Sequence, residues 1–228
     1  MSADCEVLVR CDGLARTFGS GASAVVAVHG ATCEVRAGDR IALMGPSGSG
    51  KTTLLHLIAG LDDATVGMIS WPGLGDRATL RPGPLAIVFQ SPSLLPPLDV
   101  IENVALPLLL QGVDRETARY AAEQALRRLG LSELANKLPE EISGGQAQRV
   151  AVARVLAGRP KLILADEPTG QLDHVTGGLV IDVLLQAASE LGAALIINTH
   201  DPVVADRLPQ RWNMASGRLT ILERTPTC

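Results

Sequence analysis

The chain has 228 residues, 46% of them hydrophobic, and a formal net charge of −4. That length can bury the core of one domain, or of one domain with subdomains. Aromatic residues make up only 2% of the chain and no long basic block occurs, which argues against base stacking and against an electrostatic nucleic-acid interface.

The first six residues carry Asp4 and Glu6 and lack a basic start followed by an apolar run, so they do not read as a signal peptide. Cys5, Cys11, Cys33 and Cys228 lack metal-ligand spacing and read as free thiols of a reducing cytoplasm. Residues 7–11 and 25–35 predict strands of an antiparallel β layer, the second with a turn near His29-Gly30, and residues 19–23 predict a small-residue turn between them. Arg40 to Met44 predicts a buried strand, and residues 53–59 a helix closed by Gly60. Residues 62–84 are rich in Gly, Pro and Asp and predict turns around a short strand at 68–71. Residues 85–89 predict a buried strand that ends on Gln90.

The composition then shifts. Residues 91–97 form a Pro/Ser/Leu loop, and 100–111 and 114–129 predict helices. Asp114 is the expected cap of the second, whose apolar stripe is Ala118, Ala121, Ala125, Leu126 and Leu129. A third helix starts at Ser143 and runs to Ala157. Residues 161–165 return to a buried strand. A helix at 173–191, a strand at 194–198 and a hairpin of 212–215 with 218–222 complete the pattern. No 18-residue uncharged apolar stretch occurs, so no membrane span is predicted. The strand–helix alternation predicts an α/β fold with a largely parallel sheet, interrupted by a helical insertion at about 91–158.

Three motifs carry chemistry. Gly45-Pro46-Ser47-Gly48-Ser49-Gly50-Lys51-Thr52-Thr53 lies between a predicted strand and a predicted helix and fits the phosphate-loop pattern. Its glycines let the backbone bend close to a polyphosphate, and its N–H groups and the helix N-terminus attract the anion. Lys51 would bridge the β- and γ-phosphates, and the Thr52 hydroxyl would ligate Mg²⁺. The second motif is an apolar strand ending in Asp166-Glu167-Pro168, which places two carboxylates at the sheet edge where the phosphate loop opens. Asp166 would hold Mg²⁺ through water, and Glu167 would orient the attacking water. The third, Ser143-Gly144-Gly145-Gln146, combines a hydroxyl, bare backbone N–H groups and a helix dipole into a second anion site. A second anion site makes sense if it closes over ATP held by another copy of the chain.

In this order, from Phe18 to His200, these elements resemble the ATP-binding cassette (ABC) family. The resemblance implies a P-loop NTPase with a RecA-like, mostly parallel sheet, an antiparallel β subdomain and an inserted helical subdomain. It implies one nucleotide-binding domain over 1–228, with residues 1–90 and 159–228 as the ATP-binding core and 91–158 as the helical part. ATP and Mg²⁺ are the implied ligands. Phe18 would stack on the adenine, and Gln90 would touch Mg²⁺ and water. Asp173, in the loop Gly170-Gln171-Leu172-Asp173, would lie at a dimer seam, and His200 would contact the γ-phosphate. Glu167, His200, Gln90 and Lys51 would form the catalytic set. Ser143, Gly144, Gly145 and Gln146 would serve the opposite nucleotide of a head-to-tail homodimer.

The resemblance further implies an ATPase peripheral to the cytoplasmic face of the membrane and soluble when isolated. It would power a separate permease that docks between Gln90 and Leu110. Residues 98–108 are similar to the lipoprotein-releasing and macrolide-exporter branch. An alternative in the same family is an ATP-driven mechanical regulator of an envelope enzyme that moves no cargo. The chain departs from the family pattern in a short stretch between Asp62 and Pro84, in Ile142 before the Ser-Gly-Gly turn, in Phe18 for the more frequent Tyr and in Thr52 for Ser.

Overall fold

The computed structural model describes residues 6–170 and 172–223, so the readings made for residues 1–5, Gln171 and Cys228 lie outside the described residues. In chain order, β1 (Val7–Phe18), β2 (Val25–Arg36) and β3 (Arg40–Met44) lead into α1 (Lys51–Ile58). β4 (Val66–Ser70) and β5 (Leu85–Val88) follow, then three helices, α2 (Val100–Leu110), α3 (Arg115–Arg128) and α4 (Gly144–Ala157). β6 (Leu162–Asp166), α5 (His174–Leu191), β7 (Ala194–Asn198), the short α6 (Pro202–Ala205), β8 (Gln210–Ala215) and β9 (Arg218–Glu223) complete the described chain.

The strands form two sheets. A six-stranded sheet has the order β5-β6-β7-β3-β8-β9 and is parallel except for β9. A three-stranded antiparallel sheet has the order β2-β1-β4. Period-two alternation divides the large sheet's side chains between two cores. Leu162, Leu164, Ala194 and Ile196 face α1 and the small sheet, whereas Ile163, Ala165, Leu195 and Ile197 face α2–α5. Because both faces are covered, the central strands are apolar throughout, as a parallel sheet requires. Among the described residues, no helix is long and apolar enough to cross a membrane.

Two sequence expectations need correction. β1 runs past Cys11 to Phe18, and β2 passes straight through His29-Gly30 without turning. The register shows why: two of its four shifts fall between Cys11 and Leu14 and between Leu14 and Arg16, the second reversing the first. Each of these two holds a left-handed glycine, Gly13 on β1 and Gly30 on β2, so what resembled strand ends are β-bulges. The α3 stripe contains Ala122 in place of Ala121, which is only half-buried. Cys11 and Cys33 face each other across β1 and β2, both buried and both free.

A phosphate cradle beside an acidic pair

The loop between β3 and α1 is shaped by close packing rather than by side-chain caps. Gly45 has φ 145°, and a Cβ there would lie 2.1 Å from the Met214 carbonyl oxygen. Gly50 has φ 100°, and a Cβ there would lie 2.1 Å from the Ala27 carbonyl oxygen. The loop is thus wedged between β2 and β8 at positions that admit only glycine. The turn between β8 and β9 braces it further: Gly217 N–H donates to the Ser49 carbonyl at 3.0 Å, and its own carbonyl accepts from His29 N–H at 2.8 Å.

Helix α1 starts at Gly50, which offers no side chain to its first N–H groups. The starts of α2, α3, α4, α5 and α6 are all capped by Asp or Ser side chains. The donors of α1 and its positive dipole end are therefore left for an external anion. Lys51 is 6% exposed, and its Nζ donates to the carbonyls of Gly45 and Pro46 at 2.8 Å each. That ties the ammonium across the loop mouth. Ser47, Gly48, Ser49 and Thr53 complete the loop and the first helical turn.

The acidic pair stands opposite. Asp166 ends β6, and its Oδ1 accepts from the Thr52 hydroxyl at 3.2 Å and from Asn198 Nδ2. Glu167 sits at φ 44°, a left-handed backbone that is strained for a residue with a Cβ, and its N–H donates to the Asn198 carbonyl at 3.0 Å. Gln90, just beyond β5, places Nε2 3.4 Å from Glu167 Oε2. His200, just beyond β7, places Nδ1 3.7 Å from Glu167 Oε1. Three parallel strands therefore deliver Gln90, Glu167 and His200 to one point at their C-terminal ends.

The other residues singled out by the sequence stand on separate elements. Phe18, at the end of β1, is 41% exposed, and the Arg16 guanidinium covers it at 4.5 Å from the ring centroid. Arg16 is anchored by Asp62 at 2.7 Å. Asp173 caps α5 by accepting from Val175 N–H, Thr176 N–H and the Thr176 hydroxyl, and these donors hold its carboxyl below the usual carboxylate range. Ser143 and Gln146 form a reciprocal capping box on α4: Ser143 Oγ accepts from Gln146 N–H, and Gln146 Oε1 accepts from Ser143 N–H. Ser143 and Gly144 are exposed, and among the described residues no hydrogen bond joins 143–146 to the loop 45–53.

Motif reading missed four residues that the structure puts to use. Arg16 covers Phe18, Gly217 braces the loop, and Asn198 and Gln148 hold the acidic pair and its neighbours. Gly217, Asn198 and Gln148 act through partners distant in the chain, and Arg16, though close to Phe18 in sequence, is held by the distant Asp62, so no local spacing marks them.

A glycine loop wedged at a strand–helix junction, facing a strand that ends in two carboxylates, defines a P-loop NTPase. A sequence profile of the ABC transporter family matches residues 28–170, more than half of the chain. The chain belongs to that family, as an ATP-binding and ATP-hydrolysing subunit closely related to the LolD type. It is 37% identical over 221 residues to the lipoprotein-releasing system ATP-binding protein LolD of Shewanella sp. strain MR-4, covering 94% of this chain and 96% of that one. To the LolD of Legionella pneumophila strain Paris it is 39% identical over 221 residues, covering 94% and 97%. A solved dimer of the ATP-binding cassette MJ0796 bound to ADP and Pi superposes with a TM-score of 0.86 at 33% identity, covering 96% of this chain and 100% of that one.

Proposed function

We propose that two copies of this chain pair head to tail, enclose two ATP molecules at their seam, and drive a separate membrane permease. One observation carries this: Ser143 and Gly144 are exposed at the start of α4, and among the described residues no hydrogen bond ties 143–146 to the chain's own phosphate loop. Gly144 and Gly145 open α4, so their N–H groups belong to the positive end of its dipole, which suits an anion. A second copy supplies the γ-phosphate that such a site would bind. The relative solved as a dimer bound to ADP and Pi supports pairing of two copies.

Within one composite site the chain's groups divide the work. The first-turn N–H groups of α1 and Lys51 hold the phosphates, and Phe18 offers a flat face to the adenine. Glu167 accepts a proton from, and so orients, the attacking water, while Gln90 and His200 fix the Glu167 carboxylate from either side. Asp173 stabilises the start of α5 at the seam.

The donor set fits Mg²⁺. The Thr52 hydroxyl donates a hydrogen bond to Asp166 Oδ1, which leaves its oxygen lone pairs for a cation. Among the described residues no group of three or more His, Cys, Asp or Glu could hold a metal alone. That suits a small hard cation which takes most of its ligands from water and phosphate. Thr52, Asp166 and Gln90 would hold it, and when bound it neutralises phosphate charge.

The permease reading rests on the loop that follows Gln90 and on the LolD relatives. Leu95 is 45% exposed in that loop. Asn103 and Arg154 fix its shape from behind.

The pairing has a direct test. Lys51→Ala and Ser143→Arg each remove one half of a composite site, so each variant alone should lose ATPase activity. Mixed in equal amounts, the two variants form heterodimers with one intact site, and activity should return to about a quarter of wild type on statistical mixing. Mixing without any recovery would overturn the head-to-tail pairing.

A further inference from the structure

Asn198 ends β7 and is 1% exposed, beside the acidic pair. It grips both acidic residues at once. Its carbonyl accepts from Glu167 N–H at 3.0 Å, and its Nδ2 donates to Asp166 Oδ1. The parallel register makes this possible, because Asp166 and Asn198 are paired on the last rung between β6 and β7. Both side chains project to the α1 face, in line with Leu164 and Ile196 two residues earlier. An ionised Asp166 only accepts hydrogen bonds, so the amide nitrogen is the end that faces it.

Two donors therefore converge on one oxygen. The Thr52 hydroxyl reaches Asp166 Oδ1 at 3.2 Å, and Asn198 reaches the same atom. Among the described residues, Asp166 Oδ2 receives no side-chain donor. The amide carries a penalty of its own, because Asn198 Oδ1 is buried without a partner. The preceding Leu195, Ile196 and Ile197 are the apolar residues a central parallel strand calls for. Asn198 breaks that run where β7 meets Asp166, and a polar residue kept against both packing and hydrogen-bond satisfaction points to function.

We propose that Asn198 is a positioning residue for the nucleotide-bound metal: it commits Asp166 Oδ1 to protein donors and reserves Oδ2 for the cation and its water. The proposal rests on the Mg²⁺ assignment made above. It concerns the carboxylate's orientation, so it separates nucleotide affinity with Mg²⁺ from nucleotide affinity without it.

The test measures binding of a fluorescent ATP analogue to the purified chain in Mg²⁺ and in EDTA, for wild type and Asn198→Val. Loss of a group that orients a metal ligand weakens metal binding roughly tenfold, so the Mg²⁺-dependent gain in affinity should shrink by about that factor. Affinity in EDTA should stay at the wild-type value. Asn198→Thr, which keeps a hydroxyl donor on a β-branched frame, should retain part of the gain and serves if Asn198→Val does not fold. Equal losses in Mg²⁺ and in EDTA would assign Asn198 a purely structural role and overturn the proposal, as would an undiminished Mg²⁺ gain. A wild-type affinity indifferent to Mg²⁺ would sink the metal assignment, and this proposal with it.

Discussion

Gln148 donates through Nε2 to the carbonyl oxygen of Phe89 at 3.0 Å, and the same amide nitrogen reaches the Pro168 carbonyl at 3.3 Å. Phe89 directly precedes Gln90, and Pro168 directly follows Glu167. The helix capped by Ser143 is therefore pinned, five residues on, to the neighbours of Gln90 and Glu167, the two groups proposed to handle water. Gln148→Leu removes the donor from two carbonyls, a loss of about 1–3 kcal/mol. Expressed in the transition state, that is a fall in kcat of roughly 5- to 150-fold with KM unchanged. Gln148→Glu should be worse, because it faces the two carbonyls with a buried acceptor that repels them. Steady-state ATPase assays check the order, and a Gln148→Glu enzyme as active as Gln148→Leu would contradict this account.

Glu167→Gln keeps the side chain's size but removes the carboxylate proposed to take a proton from water. Turnover should fall by about two to four orders of magnitude while ATP still binds. Under the proposed pairing, ATP-dependent dimers should then persist, visible by size-exclusion chromatography with light scattering. Wild-type turnover in this variant would remove Glu167 from its role.

Asn103 lies fully buried on α2 and turns both ends of its amide to the loop behind Gln90. Its amide oxygen accepts from Leu95 N–H at 2.7 Å, and its amide nitrogen donates to the carbonyls of Leu95, Leu98 and Asp99. Asn103→Ala should destabilise the fold by about 2 kcal/mol in denaturant titrations, because several loop carbonyls lose their donor and Leu95 N–H loses its acceptor. It should also loosen residues 95–99, seen as faster amide exchange confined to that loop. Uniform exchange across the chain would argue against a local role.

The cap of α3 sets a pH dependence. Asp114 accepts from Thr117 N–H at 2.9 Å, and that bond holds its carboxyl below its ordinary value. A carboxyl lowered by folding stabilises the native state above its unfolded pKa, 3.8 for Asp, and loses that contribution as pH falls through the lower folded value. Asp114→Ala should therefore melt below wild type at pH 7, and the gap should close as pH drops toward 3. A gap that widens on acidification would reverse the assigned sign.

Local pattern made much of this molecule legible. Arg40–Met44 coincides with the predicted strand, and Asp114 and Ser143 cap the helices they were expected to cap. These features repeat within a few residues, so sequence spacing records them. The bulges at Gly13 and Gly30 did not show, because a left-handed glycine marks a turn and a bulge alike. The α3 stripe slipped by one alanine, since Ala121 and Ala122 are chemically identical and only packing chooses between them. Phe18, Gln90 and His200 were found through family resemblance, because each alone is an ordinary residue near the end of a strand. Asn198, Gln148 and Gly217 were missed, since their partners lie 32, 59 and 168 positions away for Asp166, Phe89 and Ser49.

The Lys51 ammonium already spans its own loop, with Gly45 and Gly50 wedged on either side. A receptor with this much structure before its ligand arrives undergoes little ordering on binding. Calorimetric titration of the nucleotide should accordingly show a small heat-capacity change, without the large negative value that accompanies folding around a ligand.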